Sequence, residues 1–254
     1  MTERQYRLKY ERSLRSIESV FVKKYNALLN KAFADAASLV ENGSRSDAHT
    51  AANRYRSETA ALLATNYNSA AGVFGSISKD SLTEKKKSIV LPLFRKEKLN
   101  DEFWSGMNKW IRTQTLLKID DITSTTRRII KSIISKGIDK GLSNGEIASN
   151  IRDAVTVNKY RSMLIAVTET HNASAYATKT MADSFKFEKE KKWMNAGDER
   201  VREAHKDVTS DWIPEAETFY VGGQELDHPG ASNANAANAC NCRCGIMYRR
   251  KAGK

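Results

Sequence analysis

The sequence predicts a mainly α-helical protein, with a long N-terminal helical region followed by a small α+β C-terminal domain with a few short antiparallel strands. Only Pro92 among the three prolines precedes residue 214, and glycine is sparse before Gly72, both of which favour helices. Apolar residues recur at helical spacing before residue 160. After Phe185, short strand-like segments lie between glycines and Pro229. We therefore predict a basic α-helical region over 1–159 and an α+β domain over 160–254.

The first helices follow from apolar spacing and loop punctuation. Residues 6–40 carry apolar side chains three, four and seven apart, which predicts one amphipathic helix; they include Leu14, Ile17, Val20, Phe21, Leu28, Leu29 and Phe33. Residues 41–46 contain Asn-Gly and predict a loop. Residues 48–73 are rich in alanine and predict a second helix, which we expect Gly72, Gly75 and the following serines to break.

The middle of the chain predicts a connector and three more helices. Residues 91–99 contain Pro92 and a charge cluster, typical of a connector, whereas 101–140 resume helical spacing. Trp104 and Trp110 recur at helical intervals there, so we assign them to packing instead of base stacking. Ser143 and Glu146 have capping-box spacing and predict a helix from 143 to about 156. The next helix is predicted from about 160 to 181.

Three strands are predicted in the C-terminal region. Residues 187–194, 218–221 and 245–248 combine aromatic or β-branched residues with flanking turn signals. Residues 233–239 alternate Asn and Ala and are typical of a surface loop. Together these segments predict a small domain in which helices lead and antiparallel strands follow.

The chain is strongly basic, and the excess lies towards its start. It contains 42 Lys+Arg and 30 Asp+Glu among 254 residues, a net charge of +12. Up to residue 170 there are 29 Lys+Arg against 18 Asp+Glu. Such an excess favours contact with nucleic acid or an acidic protein surface, and a solvated basic helix surface is the alternative.

No segment predicts insertion into a membrane or secretion. No apolar run approaches the roughly 20 residues that a spanning helix requires, and the first seven residues are too charged for a signal peptide. We therefore expect the protein to be made and used in the cytosol. All three cysteines lie within 240–244, and in a reducing compartment this favours metal binding or free thiols over disulfides.

The clustered cysteines and upstream histidines suggest a metal site. His205, Cys242 and Cys244 offer the imidazole and thiolate ligands that zinc accepts, and a closed tetrahedral site would need a fourth ligand from His228, Cys240 or Asp198. The C-x-C spacing is tighter than the C-x2-C of most structural zinc sites. Zinc is therefore one of several hypotheses for this cluster.

Two other interpretations use the same residues. In the first, Cys242 and Cys244 pack on one face of a strand while Arg243 faces away, and a polar brace holds the loops; the brace comprises Asp198, Arg200, Arg202 and His205. In the second, His205, an acidic neighbour and a cysteine act as base, orienter and nucleophile. No phosphate loop, G-x-S-x-G or H-E-x-x-H motif supports such an enzyme. We expect His49 and His171 to be surface or capping residues.

Several short motifs resemble one family. Residues 168–173 read T-E-T-H-N-A and 198–205 read D-E-R-V-R-E-A-H; Gly-Gly and Pro-Gly steps follow, and 241–244 read N-C-R-C. This arrangement, over about 168–250, resembles the C-terminal domain of phage head morphogenesis or minor head proteins, the group of the Mu F protein and its SPP1 relative. Residues 141–148 resemble the approach to the family's T-E helix. The segment after His205 departs from the family by lacking its Asp-Gly turn.

The resemblance implies a function and a set of motif residues. It implies a minor head protein of a tailed phage or prophage that acts by binding in procapsid assembly, at the portal vertex or capsid interior. Its implied partners are portal, major capsid or scaffold protein, and no catalytic residue is expected. The basic excess up to residue 170 adds double-stranded DNA as an expected contact, and no membrane contact is expected. The matching motif residues are Asp198, Arg200, Arg202, His205, Cys242, Arg243 and Cys244. A metal-dependent nuclease or a zinc-stabilised DNA-binding protein is the alternative.

Overall fold

The computed structural model describes residues 1–83 and 99–252 and confirms the predicted fold class, helices first and short antiparallel strands last. The helices are α1 (Glu3–Glu41), α2 (Ala51–Arg54), α3 (Arg56–Leu82), α4 (Asp101–Asp139), α5 (Asn144–Arg152), α6 (Val155–Asp183), α7 (Glu203–Lys206) and α8 (Ala236–Ala239), with a 3₁₀ turn at Ala48–Thr50. The strands are β1 (Lys189–Met194), β2 (Ile213–Pro214), β3 (Phe219–Val221), β4 (Gln224–Leu226) and β5 (Gly245–Arg250). No helix in the described ranges is long and apolar enough to cross a membrane.

Contacts group the chain into two compact units. Unit 1 comprises residues 1–18, 66–110 and 164–254, and unit 2 comprises 19–65 and 111–163. Each of the long helices α1, α3, α4 and α6 contributes residues to both units. The division at residue 160 that the sequence suggests stays a prediction about which part folds by itself. The predicted connector at 91–99 lies outside the described residues except for Leu99.

Helix α1 confirms the predicted amphipathic helix but corrects its apolar stripe. Tyrosines complete the buried face, with Tyr6, Tyr10 and Tyr25 each at most 2% exposed, whereas Val20 is 54% exposed. A tyrosine side chain combines an apolar ring with a polar hydroxyl group, so a buried tyrosine usually has a hydrogen-bond partner for its hydroxyl. Tyr6 donates to the Ile246 carbonyl of β5 at 2.9 Å, within unit 1.

The predicted break of the second helix at Gly72 and Gly75 is wrong, because α3 continues to Leu82. A Cβ on Gly75 would lie 2.7 Å from Cζ of the buried Phe103 side chain, whereas nothing lies within 4 Å of a Cβ on Gly72. Glycine at 75 therefore allows α3 to pack closely against α4 within unit 1. Tertiary packing overrides the low helix propensity of glycine here.

Two alanine substitutions in α3 should act in opposite directions. We expect Gly75→Ala to lower the free energy of unfolding by about 1–3 kcal/mol, because the added methyl group overpacks against Phe103. Gly72→Ala, three residues earlier in the same helix, should raise it by about 0.5–1 kcal/mol through helix propensity. Urea unfolding of both variants measures the difference. Equal effects would contradict close packing at position 75.

Unit 2 is built from helical segments around an apolar core. The core includes Phe33, Ala36, Ala37, Val40, Ala48, Ala51, Ile130, Ile134, Ile147, Ala148 and Ile151. Ser143 caps α5 as predicted: its side chain accepts the Glu146 amide hydrogen, and the Glu146 carboxylate accepts the Ser143 amide hydrogen at 2.8 Å. Helix α5 ends at Arg152, earlier than predicted, and α6 begins at Val155.

Unit 1 contains both sheets. The three-stranded sheet has the antiparallel order β2-β1-β5, and Trp193 of β1 pairs with Ile246 of β5. Strands β3 and β4 form a hairpin joined at Gly222-Gly223, both of which have positive φ. The predicted strands β1, β3 and β5 are confirmed, whereas β2 and β4 were not predicted.

The buried face of β1 is unusual because two of its three buried side chains are lysines. Lys189 pairs with Glu215 at 3.0 Å and donates to two carbonyl groups, while Lys191 pairs with Asp227. Buried ammonium groups are tolerated only when they are paired and hydrogen-bonded. These partners explain how a lysine-rich segment forms the central strand.

Candidate functional site

A buried cluster of one histidine and two cysteines lies in unit 1, in the same apolar core as Trp193 of β1. His205, Cys242 and Cys244 are each at most 2% exposed, and their ligand atoms all lie within 4.8 Å of one another. His205 Nδ1 is 3.4 Å from Cys244 Sγ and 3.6 Å from Cys242 Sγ. These three residues, which the sequence suggests as candidate metal ligands, therefore lie close together in the structure.

Different elements present the three side chains. His205 lies on the short helix α7, and the cysteines lie in the extended segment that leads into β5. Alternation along that segment buries Cys242 and Cys244, while Arg243 points the other way and its Nη2 pairs with the buried Glu18 at 3.2 Å. The predicted alternation is thus observed, although these residues precede β5 and are not part of the strand.

Aromatic rings shield one side of the cluster. The Trp193 ring meets the His205 ring edge to face, with centroids 5.7 Å apart, and packs against Phe219 at 5.4 Å. The amide of Cys244 donates to the Cys242 sulfur at 3.4 Å. Among the residues that the structure describes, none offers a hydrogen-bond partner to the buried His205 Nε2. The cluster therefore lies in a largely apolar enclosure with polar support from the backbone.

The T-E helix, here α6, joins the cluster through two side chains one turn apart. The Thr168 hydroxyl accepts the Asn241 amide hydrogen at 3.0 Å, where Asn241 has the left-handed φ of 54°. His171 Nε2 lies 2.7 Å from the Cys244 carbonyl oxygen, to which it donates. The buried Glu169 accepts the Tyr67 hydroxyl hydrogen at 2.6 Å. The two motif segments of the sequence therefore meet in the structure.

The expected surface position of His171 is wrong, because the side chain is fully buried. The sequence offered one signal, which was its position one turn after Thr168 on the motif helix. Burial acts to lower the pKa of His171, but the Cys242 sulfur and the Cys244 carbonyl outweigh it, so the pKa is raised. His171 and Trp193 are site residues that sequence reasoning missed.

The two thiols have opposite electrostatic surroundings. The hydrogen bond from Cys244, with the nearby His171 and His205, holds the pKa of Cys242 far below its ordinary value despite burial. The same hydrogen bond, with burial, raises the pKa of Cys244 far above its ordinary value. The hydrogen bond between the two thiols therefore acts on their pKa values in opposite directions.

The remaining motif residues make local contacts with the backbone. Arg202 donates to the Cys240 carbonyl oxygen at 2.5 Å, and the Asp198 carboxylate accepts the Arg200 amide hydrogen at 3.1 Å. No ion pair joins Asp198, Arg200 or Arg202 to one another in the part of the chain that the structure describes. The predicted carboxylate-guanidinium brace is therefore absent there, and Arg202 instead fastens a backbone carbonyl.

The proposed fourth ligands lie outside the cluster. The group of ligand atoms within 4.8 Å contains neither Asp198, His228 nor Cys240 among the described residues. His228 is buried, its Nδ1 bonds the Pro229 carbonyl at 2.9 Å, and burial lowers its pKa. Cys240 is exposed. Three protein ligands converge, and they are the soft imidazole and thiol groups that zinc accepts.

A second feature of unit 1 is an arginine-lined groove of about 440 Å³. Its lining comprises Arg4, Arg7, Leu8, Glu11, Leu14, Arg15, Ala196, Gly197, Asp198 and Arg243. Arg7 pairs with Glu11 at 2.9 Å and Arg243 with Glu18, whereas Arg4 and Arg15 form no ion pair within the described ranges. The groove thus presents more positive than negative charge.

Comparison with known proteins supports the resemblance. Residues 128–247 match the family model described as Phage Mu protein F like protein. The match begins upstream of the T-E helix and includes α5, α6 and the N-C-R-C segment. No curated protein and no solved structure matches the chain. Residues 128–247 are therefore a Phage Mu F-like region, which is consistent with the phage head morphogenesis family and supports a phage head protein in general.

Proposed function

We propose that this chain is a minor head protein that binds the portal or the inner capsid surface during procapsid assembly and acts without catalysis. The family match over 128–247 is the observation that carries the proposal. The family suggests a structural protein of the virion. Burial of His205, Cys242 and Cys244 supports a binding role, because a large substrate has no access to these side chains.

The cluster then has a structural purpose. It fastens the segment before β5 to α6 through His171 and Thr168, and to α7 through His205. Arg202 adds a bond to the Cys240 carbonyl. These contacts hold a loop-rich region that has few strands, so the outer surface keeps one shape for a partner.

The arginine-lined groove is the surface to which we assign an acidic segment of a capsid or portal partner. Arg4 and Arg15 are exposed and without carboxylate partners in the described chain, and Leu8, at 45% exposure, adds apolar area. Guanidinium groups bind carboxylates in bidentate geometry, and complementary charge steers association. An acidic peptide with an apolar residue matches this combination.

Charge reversal in the groove should weaken particle binding. We expect Arg4→Glu/Arg15→Glu to reduce binding of the purified chain to proheads that lack it by about tenfold or more, because like charges then face the acidic partner. Arg12→Glu is the matched control, since Arg12 is exposed on the same helix and does not line the groove. Sedimentation of the chain with proheads measures binding. Because Arg12→Glu reverses one charge and the double variant reverses two, a loss of binding free energy in Arg12→Glu that is half the loss in the double variant would show that only net charge matters.

We also propose that the basic surface contacts packaged double-stranded DNA. The excess of 29 Lys+Arg over 18 Asp+Glu up to residue 170 motivates this contact. Phosphate contacts release counterions, so the observed affinity should fall linearly on a logarithmic plot against salt concentration. Fluorescence anisotropy with a double-stranded oligonucleotide tests this from low to physiological salt. Absence of binding at low salt removes the DNA contact and leaves the head role in place.

Deletion and complementation in the producing phage test the assembly role. We expect particles made without the chain to be reduced in number or infectivity, and the wild-type chain supplied in trans to restore them. A groove variant should restore less than Arg12→Glu does. Normal particles from the deletion phage would contradict the proposed function.

A further inference from the structure

We propose that His205, Cys242 and Cys244 bind a divalent zinc ion through Nδ1 and the two Sγ atoms. The site is separate from the partner contacts proposed above, and its test does not depend on them. Within the described residues these are the groups whose ligand atoms lie within 4.8 Å of one another.

The distances suit tetrahedral coordination. With zinc at about 2.3 Å from sulfur and about 2.0 Å from nitrogen, tetrahedral angles place nitrogen and sulfur ligands roughly 3.5 Å apart. The observed separations of Nδ1 from the two sulfurs are 3.4 and 3.6 Å. The nitrogen therefore already lies at the required distance from both sulfurs, and all three ligand atoms lie within 4.8 Å of one another.

The donor set and its surroundings select the metal. Two thiolates and one imidazole are soft ligands that favour zinc over magnesium or calcium, which require oxygen ligands. Two thiolates would neutralise the charge of the ion. The Cys244 amide already bonds the Cys242 sulfur, the kind of supporting contact that orients a thiolate ligand.

Three protein ligands leave one coordination position, which we assign to solvent. His228 bonds the Pro229 carbonyl, and Cys240, which follows α8, is exposed and is not among the converging ligand atoms of the described residues. The metal would tie α7 to the segment before β5. It would therefore contribute to the stability of unit 1, as structural zinc sites do.

Metal analysis of the full chain tests the site. The chain is produced in zinc-supplemented medium, purified without chelator and measured by inductively coupled plasma mass spectrometry. We expect about one zinc per chain in the wild type and in Cys240→Ser, because Cys240 lies outside the cluster. Cys242→Ser and Cys244→Ser should each retain less than about a tenth of this amount.

Two measurements on the wild-type chain keep the test decisive if a variant fails to fold. A mercurial thiol reagent should release zinc, followed with a colorimetric zinc indicator. Replacement of zinc by cobalt(II) should give the near-ultraviolet sulfur-to-cobalt charge-transfer band and the visible bands of a tetrahedral ion. Zinc-free protein that also shows no cobalt bands after incubation with Co²⁺ would overturn the proposal.

Discussion

Replacing Trp193 with alanine should lower the free energy of unfolding by about 4 kcal/mol. The indole is 4% exposed and packs between the rings of His205 and Phe219, with centroids at 5.7 and 5.4 Å. Its removal leaves a cavity at the centre of the unit 1 core, beside Cys242 and Cys244. Urea unfolding monitored by circular dichroism measures the loss.

Trp212→Ala is the matched control for this prediction. Trp212 is half-buried, bonds Glu3 at 3.2 Å and stacks under the Arg249 guanidinium at 4.2 Å. Losing these partly exposed contacts should cost about 1 kcal/mol. A Trp193 effect no larger than that of Trp212 would show that Trp193 does not organise the core around the cluster.

Replacing Asp227 with alanine should lower the free energy of unfolding by about 3 kcal/mol, because it leaves the fully buried Lys191 ammonium without its carboxylate. In the variant, Lys191 can still donate to the backbone carbonyl of residue 227, at 3.0 Å in the wild type, and its ammonium group still lies over the Phe219 ring. These contacts limit the loss of free energy. Asp183→Ala is the control, since Asp183 pairs with Lys179 at the surface and should cost under about 1 kcal/mol.

The same pair predicts a dependence of stability on pH. Burial acts to raise the pKa of Asp227, but the hydrogen bond and charge of Lys191 outweigh it and lower the pKa. A lowered pKa in the folded state contributes stability that is complete above the unfolded value of about 3.9 and is lost as pH falls through the folded value. Unfolding curves from pH 6 to 2 should show this loss in the wild type and a smaller one in Asp227→Ala. If the free energy of unfolding fell equally with pH in both proteins, Asp227 would not contribute to the loss of stability.

Helix periodicity and capping could be predicted from sequence because they are local. The 3.6-residue spacing fixed the extent of α1 and α4 closely, and the Ser143–Glu146 capping box forms as expected. The continuation of α3 through Gly75 could not be predicted. It depends on Phe103, which is distant in sequence and packs against the glycine.

The residues of the site could be predicted from the sequence, but only some of their contacts could. The clustered cysteines and the spaced His205 pointed to a convergent trio, and alternation correctly separated Arg243 from its neighbours. The burial of polar side chains could not be predicted. His171, expected at the surface, is fully buried, and so is Lys191. Local polarity predicts exposure, whereas these side chains are buried because the Cys244 carbonyl and Asp227 satisfy them.

Quantitative mass spectrometry of gradient-purified proheads and mature particles from the producing host tests the minor head role most directly. We expect the chain to co-sediment with portal protein at a fixed low copy number in proheads. The Arg4→Glu/Arg15→Glu variant should fall below that number while Arg12→Glu keeps it. Absence of the wild-type chain from both particle types would contradict the minor head role.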